Sequence, residues 1–252
     1  MVLFRLKAFG LHLTASASAL SLILGTLYLG WYHWPGWYLA EVARVVLVMV
    51  GVDVVLGPLL TLIVARSSKP RRVLVRDIGM IVAVQLIALT YGTVSLWSGR
   101  PLYYAFSESL LQLVQAYDID ADERALGRLQ NPELSPHWYS VPRWIWAPLP
   151  KDATERGKIV GSAIAGGDDV IAMPRLFRPW EQGLPELRTQ LKKVDDLAYF
   201  FGTEKKILKE RMRAAGFDPE AADTMVLTGR GRPMLAVFDL KTLTITAMFT
   251  AT

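Results

Sequence analysis

The sequence predicts a membrane α-helical anchor of three transmembrane helices followed by an α+β soluble domain with an antiparallel sheet. Three observations predict it. The long apolar runs are confined to residues 9–97. The charge is divided sharply between the two halves of the chain. Beyond residue 98, strand-like and helix-like patterns alternate as they do in an ordinary globular domain. The domain limits follow: residues 1–97 form the anchor and residues 98–252 the soluble domain.

Three apolar runs cover residues 9–31, 42–65 and 78–97. Each is about 20 residues, the length that crosses a hydrocarbon core of ~30 Å as a helix. None carries the polar stripe of a buried soluble helix. Ala15-Ser16-Ala17 imitates a signal-peptidase site, but the apolar run continues through Leu20, Leu22, Leu24 and Leu27. A cleaved signal ends its apolar core at the cut, so this helix is read as retained.

Hydrophobic residues make up 52% of the 252, and the net charge is +5. Eight Lys/Arg and three Asp/Glu lie before Ser98, which leaves 20 of each in the remainder. The basicity therefore belongs to the membrane part. Arg5 and Lys7 precede the first span, and Arg66, Lys69, Arg71, Arg72 and Arg76 separate the second from the third. The loop between the first two spans is aromatic instead, with Trp31, Tyr32, Trp34, Trp37 and Tyr38 around Pro35-Gly36. Positive loops stay in the cytoplasm, while Trp and Tyr favour the membrane interface. The N-terminus is thus expected inside and the soluble domain outside, in the periplasm of a Gram-negative cell. That domain is electrically neutral, which argues against nucleic acid as a partner.

The second span carries Gly51-Val52-Asp53-Val54-Val55-Leu56-Gly57-Pro58. An ionisable group at mid-membrane faces a partner or a cavity, not lipid. Ser18, Ser21, Gln85 and Thr90 are placed at similar depth by counting from the span ends. Asp53 is therefore read either as hydrogen-bonded inside the bundle or as facing a partner's transmembrane helix. A proton pathway is the weakest reading, because no relay of other acids accompanies it. Gly51 and Gly57 are small enough for close helix approach. Pro58 removes a backbone hydrogen bond and bends the helix. His12 is placed too near the cytoplasmic end to pair with Asp53.

In the soluble part, strands are expected over residues 100–106, 110–117, 140–147, 224–228, 234–239 and 243–249, the last two as a hairpin. Helices are expected from Asp120 as N-cap with Glu123 three residues on, and over 151–165, 184–201 and 204–215. Strands at both ends with helices between them suggest a sheet covered on one face.

Little catalytic chemistry is legible. The chain has no cysteine, and His137 is the single histidine after residue 98. Thiol catalysis, Cys-type zinc and multi-histidine centres are excluded. Asp168 and Asp169 after Gly166-Gly167 read as a turn and cap more readily than as a cation site. Trp138, Trp144 and Trp146 are core residues or, less simply, a partner or glycan surface. No cofactor, metal or catalytic residue is expected, and the residues read as those of a membrane-anchored interaction protein. A membrane-anchored periplasmic enzyme or sensor acting on envelope components is the alternative.

The opening Arg5-Leu6-Lys7-Ala8-Phe9-Gly10-Leu11-His12-Leu13 and the run from Val52 through Asp53, Gly57 and Pro58 to Leu62 resemble type IV pilin accessory proteins of the TfpX/TfpZ type. So do Gly99-Arg100-Pro101, Asp118-Ile119-Asp120, the stretch 163–168 and Met173-Pro174-Arg175-Leu176-Phe177. The resemblance runs in order from residue 5 to about residue 182. It implies a non-enzymatic inner-membrane protein, seated in lipid, that supports assembly or surface display of a cognate type IV major pilin.

Overall fold

The structure is a computed structural model that describes residues 2–66 and 68–251. The chain divides into two compact units. One holds the chain up to His33 together with Glu41–Gly99; the other holds Trp34–Ala40 and everything from Arg100.

The first unit is helical. Helices α1 (Val2–Tyr32), α2 (Val42–Val64) and α3 (Arg71–Ser98) are each long and apolar enough to cross a membrane. Leu22, Leu29, Leu47, Ile87 and Tyr91 are all exposed on their outer faces, as lipid-facing side chains are. The inner contacts are specific. The Tyr32 hydroxyl donates to the Leu96 carbonyl at 2.7 Å. Trp31 meets Trp97 edge to face, with ring centroids 5.0 Å apart. A Cβ on Gly92 would lie 2.6 Å from the Met49 side chain, so this glycine lets two helices touch. In the basic loop, Lys69 pairs with Asp77 at 2.7 Å, while Arg71 and Arg72 are exposed.

The expected bend at Pro58 has a distinct form. Residues Gly51–Leu56 are π-helical, and α-helix resumes at Gly57–Val64. Pro58 has no N–H to complete the α ladder, so the turn before it widens.

The second unit is a seven-stranded sheet with strand order β4-β3-β1-β2-β5-β6-β7. The strands are β1 (Pro101–Ser107), β2 (Leu110–Gln115), β3 (Arg143–Trp146), β4 (Arg178–Pro179), β5 (Asp223–Thr228), β6 (Met234–Asp239) and β7 (Thr244–Thr250). The sheet is mixed, which corrects the antiparallel expectation: β1 with β3 and β2 with β5 are parallel. The pairs β1–β2, β3–β4, β5–β6 and β6–β7 are antiparallel. Parallel neighbours need long crossovers, and the chain supplies them through its helices. These are α4 (Ala121–Gln130), α5 (Ala153–Ile164), α6 (Trp180–Gln190) and α7 (Lys205–Ala214).

Both sheet faces are covered, not one. On the first face, Tyr103, Ala105, Val114 and Ile145 pack with Ile159 of α5 and with Val170, Met173 and Phe177. Further along that face, Val226, Leu235 and Val237 pack with Leu208 and Met212 of α7. On the opposite face, Tyr104, Phe106, Leu111, Leu113, Met225 and Ala236 pack with Leu187 of α6 and with Leu39. Every residue of β1 is buried, as expected of a strand covered on both sides. The Tyr103 hydroxyl donates to the Leu134 carbonyl at 2.6 Å, and burial pushes its pKa up to about 12.

Leu39 belongs to the aromatic loop between α1 and α2. Residues Gly36–Leu39 form one helical turn. The Gly231 N–H donates to the Leu39 carbonyl at 2.8 Å. A Cβ on Gly229 would stand 2.6 Å from the same oxygen, so the close approach requires glycine there. Leu39 is core of the sheet unit, with Tyr38 and Ala40 packed against it, while Trp34 is half exposed.

The helix expected over 184–201 is instead α6 followed by separate turns at Val194–Leu197 and Ala198–Phe201. The break has a cause. Lys192 leaves the helix and bridges Thr224 through two 2.9 Å backbone bonds, one from each N–H.

Candidate functional site

The most unusual chemistry in the chain lies within the helical unit. Asp53 sits in the π-helical turn of α2 and is 4% exposed. Gln85 of α3, also buried, donates from Nε2 to the Asp53 carbonyl at 2.9 Å. Asp53 Oδ2 and Gln85 Oε1 are both buried without a hydrogen-bond partner. Each of these oxygens thus stands unmatched, which in a protein interior calls for an explanation.

Asp53 and Gln85 border a cleft of about 200 Å³. One wall is a stripe of α1, with His12, Ala15, Ser16 and Ala19 at helical spacing. The other is a stripe of α3, with Val82, Leu86 and Leu89 beside Gln85. His12 Nδ1 lies 2.6 Å from the Thr61 hydroxyl, one of the buried polar groups of α2. His12 bonds Thr61 and also lines the same cleft as Asp53, within electrostatic range of its carboxyl group. Ser18, Ser21 and Thr90, expected at the depth of Asp53, are exposed on other faces, and Ser16 takes the inward place. Asp53, Gly57 and Thr61 recur every fourth residue, and this stripe is the signal in the sequence that marks Thr61.

The two glycines beside Asp53 differ. A Cβ on Gly57 would collide with the Gln85 carboxamide, whereas one on Gly51 would meet nothing within 4 Å. Gly57 and Pro58 are buried. Gly57→Val is expected to push Gln85 off the Asp53 carbonyl and to cost about 1–3 kcal/mol through overpacking. Gly51→Ala should leave stability within about 0.5 kcal/mol. Thermal unfolding of the two variants in detergent checks the contrast; equal midpoints would contradict it.

The candidates in the sheet unit are dispersed. Trp138 is 71% exposed and meets Tyr139 edge to face. Trp144 stacks on Tyr104 at 4.7 Å and lies 5.3 Å from Trp180. Trp146 packs so closely on α6 that a Cβ on Gly183 would be 2.5 Å from its ring. Trp144 and Trp146 are thus packing residues beside the core, and Trp138 stands apart. Asp169 Oδ1 accepts from the Val170 N–H at 2.6 Å, capping a short turn, and Asp168 is exposed. Among the described residues, no group of three or more His, Cys, Asp or Glu is placed to hold a metal. In the turn that follows β2, burial raises the Asp118 pKa; the carboxylate accepts from the Gln115 N–H at 2.7 Å.

No family model matches the chain, and no solved structure matches it. Three curated relatives from Dichelobacter nodosus do match. The chain is 28% identical to the fimbrial assembly protein of serogroup I over 193 residues, covering 75% of this chain and 72% of the relative. The serogroup E1 protein gives the same identity and coverage. A fimbrial assembly protein of serogroups C1 and C2 is 29% identical over 121 residues, which is 48% of this chain and 92% of the relative. A match over 75% of the chain cannot fall within either compact unit alone. The chain is similar to fimbrial assembly proteins through both its membrane helices and its sheet domain.

Proposed function

We propose that this protein is an inner-membrane accessory factor of type IV pilus assembly, of the TfpX/TfpZ type, which binds its cognate major pilin without enzymatic action. The observation that carries the reading is the likeness to fimbrial assembly proteins across both units. A subunit awaiting assembly has an apolar helix in the bilayer and a folded head outside it. A helper with a membrane bundle and an attached folded domain presents a surface to each.

The N-terminus is cytoplasmic in this reading, and the sheet domain is periplasmic. The basic loop between α2 and α3 supports it. The docking of Leu39 into the sheet supports three crossings, whichever way the chain is oriented. The α1–α2 loop and the chain after α3 share one core, so they lie on the same side of the membrane. Three crossings with the basic loop inside give that arrangement.

Deleting the gene and recovering sheared surface pili tests the role. Surface pili should fall sharply while the pilin is still made, and tagged protein should co-purify with the pilin from detergent. Unchanged surface pili together with no captured pilin would reject the proposal.

A further inference from the structure

The intramembrane cleft has three properties that together define an occupant. Two of its lining residues each carry a buried oxygen with no partner, Asp53 Oδ2 and Gln85 Oε1. Its α1 wall offers Ala15 and Ala19, small, exposed and four residues apart. It lies within the apolar length of all three spans. A buried acceptor without a donor is costly in protein, and more so where the surroundings are hydrocarbon. Acyl chains have no donor to give. Small residues on one helix let the backbone of another approach closely.

We infer that this cleft between α1 and α3 is the seat of a partner's transmembrane helix, one that is narrow at the contact and carries an N–H or O–H donor at the depth of Asp53. The donor bridges Asp53 Oδ2 and Gln85 Oε1. The Gln85 bond to the Asp53 carbonyl holds both acceptors in place beforehand. Gly57 is part of the same device, because any side chain there displaces Gln85. His12 is engaged by Thr61 and lines one end of the seat. The cleft volume suits one row of small side chains plus one polar group, not a second helix sunk to its axis. That the partner is the pilin rests on the proposed function; that the partner is a helix with a donor rests on the cleft.

A photoreactive residue placed at Leu86, an exposed cleft position, tests the seat in living cells. Probes at Val84 and Ile87, exposed on the other side of α3, are the controls. Illumination should yield an adduct from Leu86 alone, mapped by mass spectrometry to a transmembrane helix. Asp53→Leu should lower its yield about fivefold, the factor given by losing one interhelical hydrogen bond of ~1 kcal/mol. Asp53→Asn, which keeps an acceptor, should lower it less. Ala15→Leu with Ala19→Leu fills the cleft from an exposed face without touching Asp53 and should abolish the adduct while protein level holds.

An adduct to the pilin helix supports both the seat and the proposed function. An adduct mapped to the helix of another identified membrane protein keeps the seat and removes pilin as its occupant. Adducts only to lipid or to a second copy of this chain, equal yields from all three probes, or none at all overturn the seat. In each of those cases, loss of surface pili on deletion would leave the proposed function intact.

Discussion

Replacing Leu39 by Asp unfolds the sheet domain, although Leu39 lies between two membrane helices and far from the sheet in sequence. Leu39 is fully buried, among Tyr104, Phe106, Leu111 and Met225. Truncation of such a leucine to Ala costs about 2–5 kcal/mol, because the cavity left behind closes only in part. Asp removes the same contacts and adds a carboxylate among apolar side chains, which costs several kcal/mol more. A typical domain has only about 5–15 kcal/mol in total. Limited proteolysis of the full-length protein in detergent reads the outcome: Leu39→Asp should be cut within residues 100–251 under conditions that spare the native chain. Equal resistance would sink the idea. The same reasoning bears on truncated proteins. A fragment that begins at residue 100 lacks the plug and exposes the surface around Gly229 and Met225, so it should aggregate or melt early. Joining residues 34–40 to it through a flexible linker should restore much of the loss.

The spans were legible because membrane crossing is written in run length, and run length survives without knowledge of neighbours. Six of the seven strands were legible from alternation and aromatic content; β4, two residues long, carries too little pattern to be seen. Strand direction was not legible. Alternation is the same for a parallel and an antiparallel neighbour, so the β1–β3 and β2–β5 pairs could not be foreseen. The core role of Leu39 was not legible for a related reason: it lies in an aromatic run, and such a run suits a membrane interface and a plug in a protein core equally well. In the candidate site, Asp53 announced itself as a lone acid in an apolar span. Its neighbours were harder to place, since the π-helical turn shifts the face presented by everything after it. Gly51 and Gly57 looked alike in sequence, and only the position of Gln85 separates them.

Arg175→Met should cost the sheet domain about 2–3 kcal/mol, below the range for a fully buried pair because both side chains keep some exposure. Arg175 lies in the turn after α5 and bonds Glu123 of α4 through Nε at 3.1 Å and Glu155 of α5 at 2.8 Å. Burial works to discharge the guanidinium, but the bonds from Glu155 and Glu123 outweigh it and its pKa rises. Arg175 therefore stays cationic at every pH the protein meets. The partners are unequal. The Glu123 side chain is 12% exposed and its second oxygen has no partner, while the Glu155 side chain is 43% exposed. Glu155→Gln should thus cost no more than about 1 kcal/mol, as exposed pairs do. Arg175→Lys should rescue only in part, because an ammonium lacks the fixed fork and the five donors of the guanidinium. The backbone of the turn is held separately: Asn131 Nδ2 donates to the Pro174 and Phe177 carbonyls at 3.0 and 2.8 Å. The loss in Arg175→Met is then that of Glu123 left charged and alone, not of an unravelled turn. The decisive comparison is the double variant Arg175→Met with Glu123→Met. Removing both charges should recover most of the stability that the single change removes, and denaturant midpoints would show it. If the double variant is as unstable as Arg175→Met, the damage is to packing, and Glu123 is not the group that Arg175 serves.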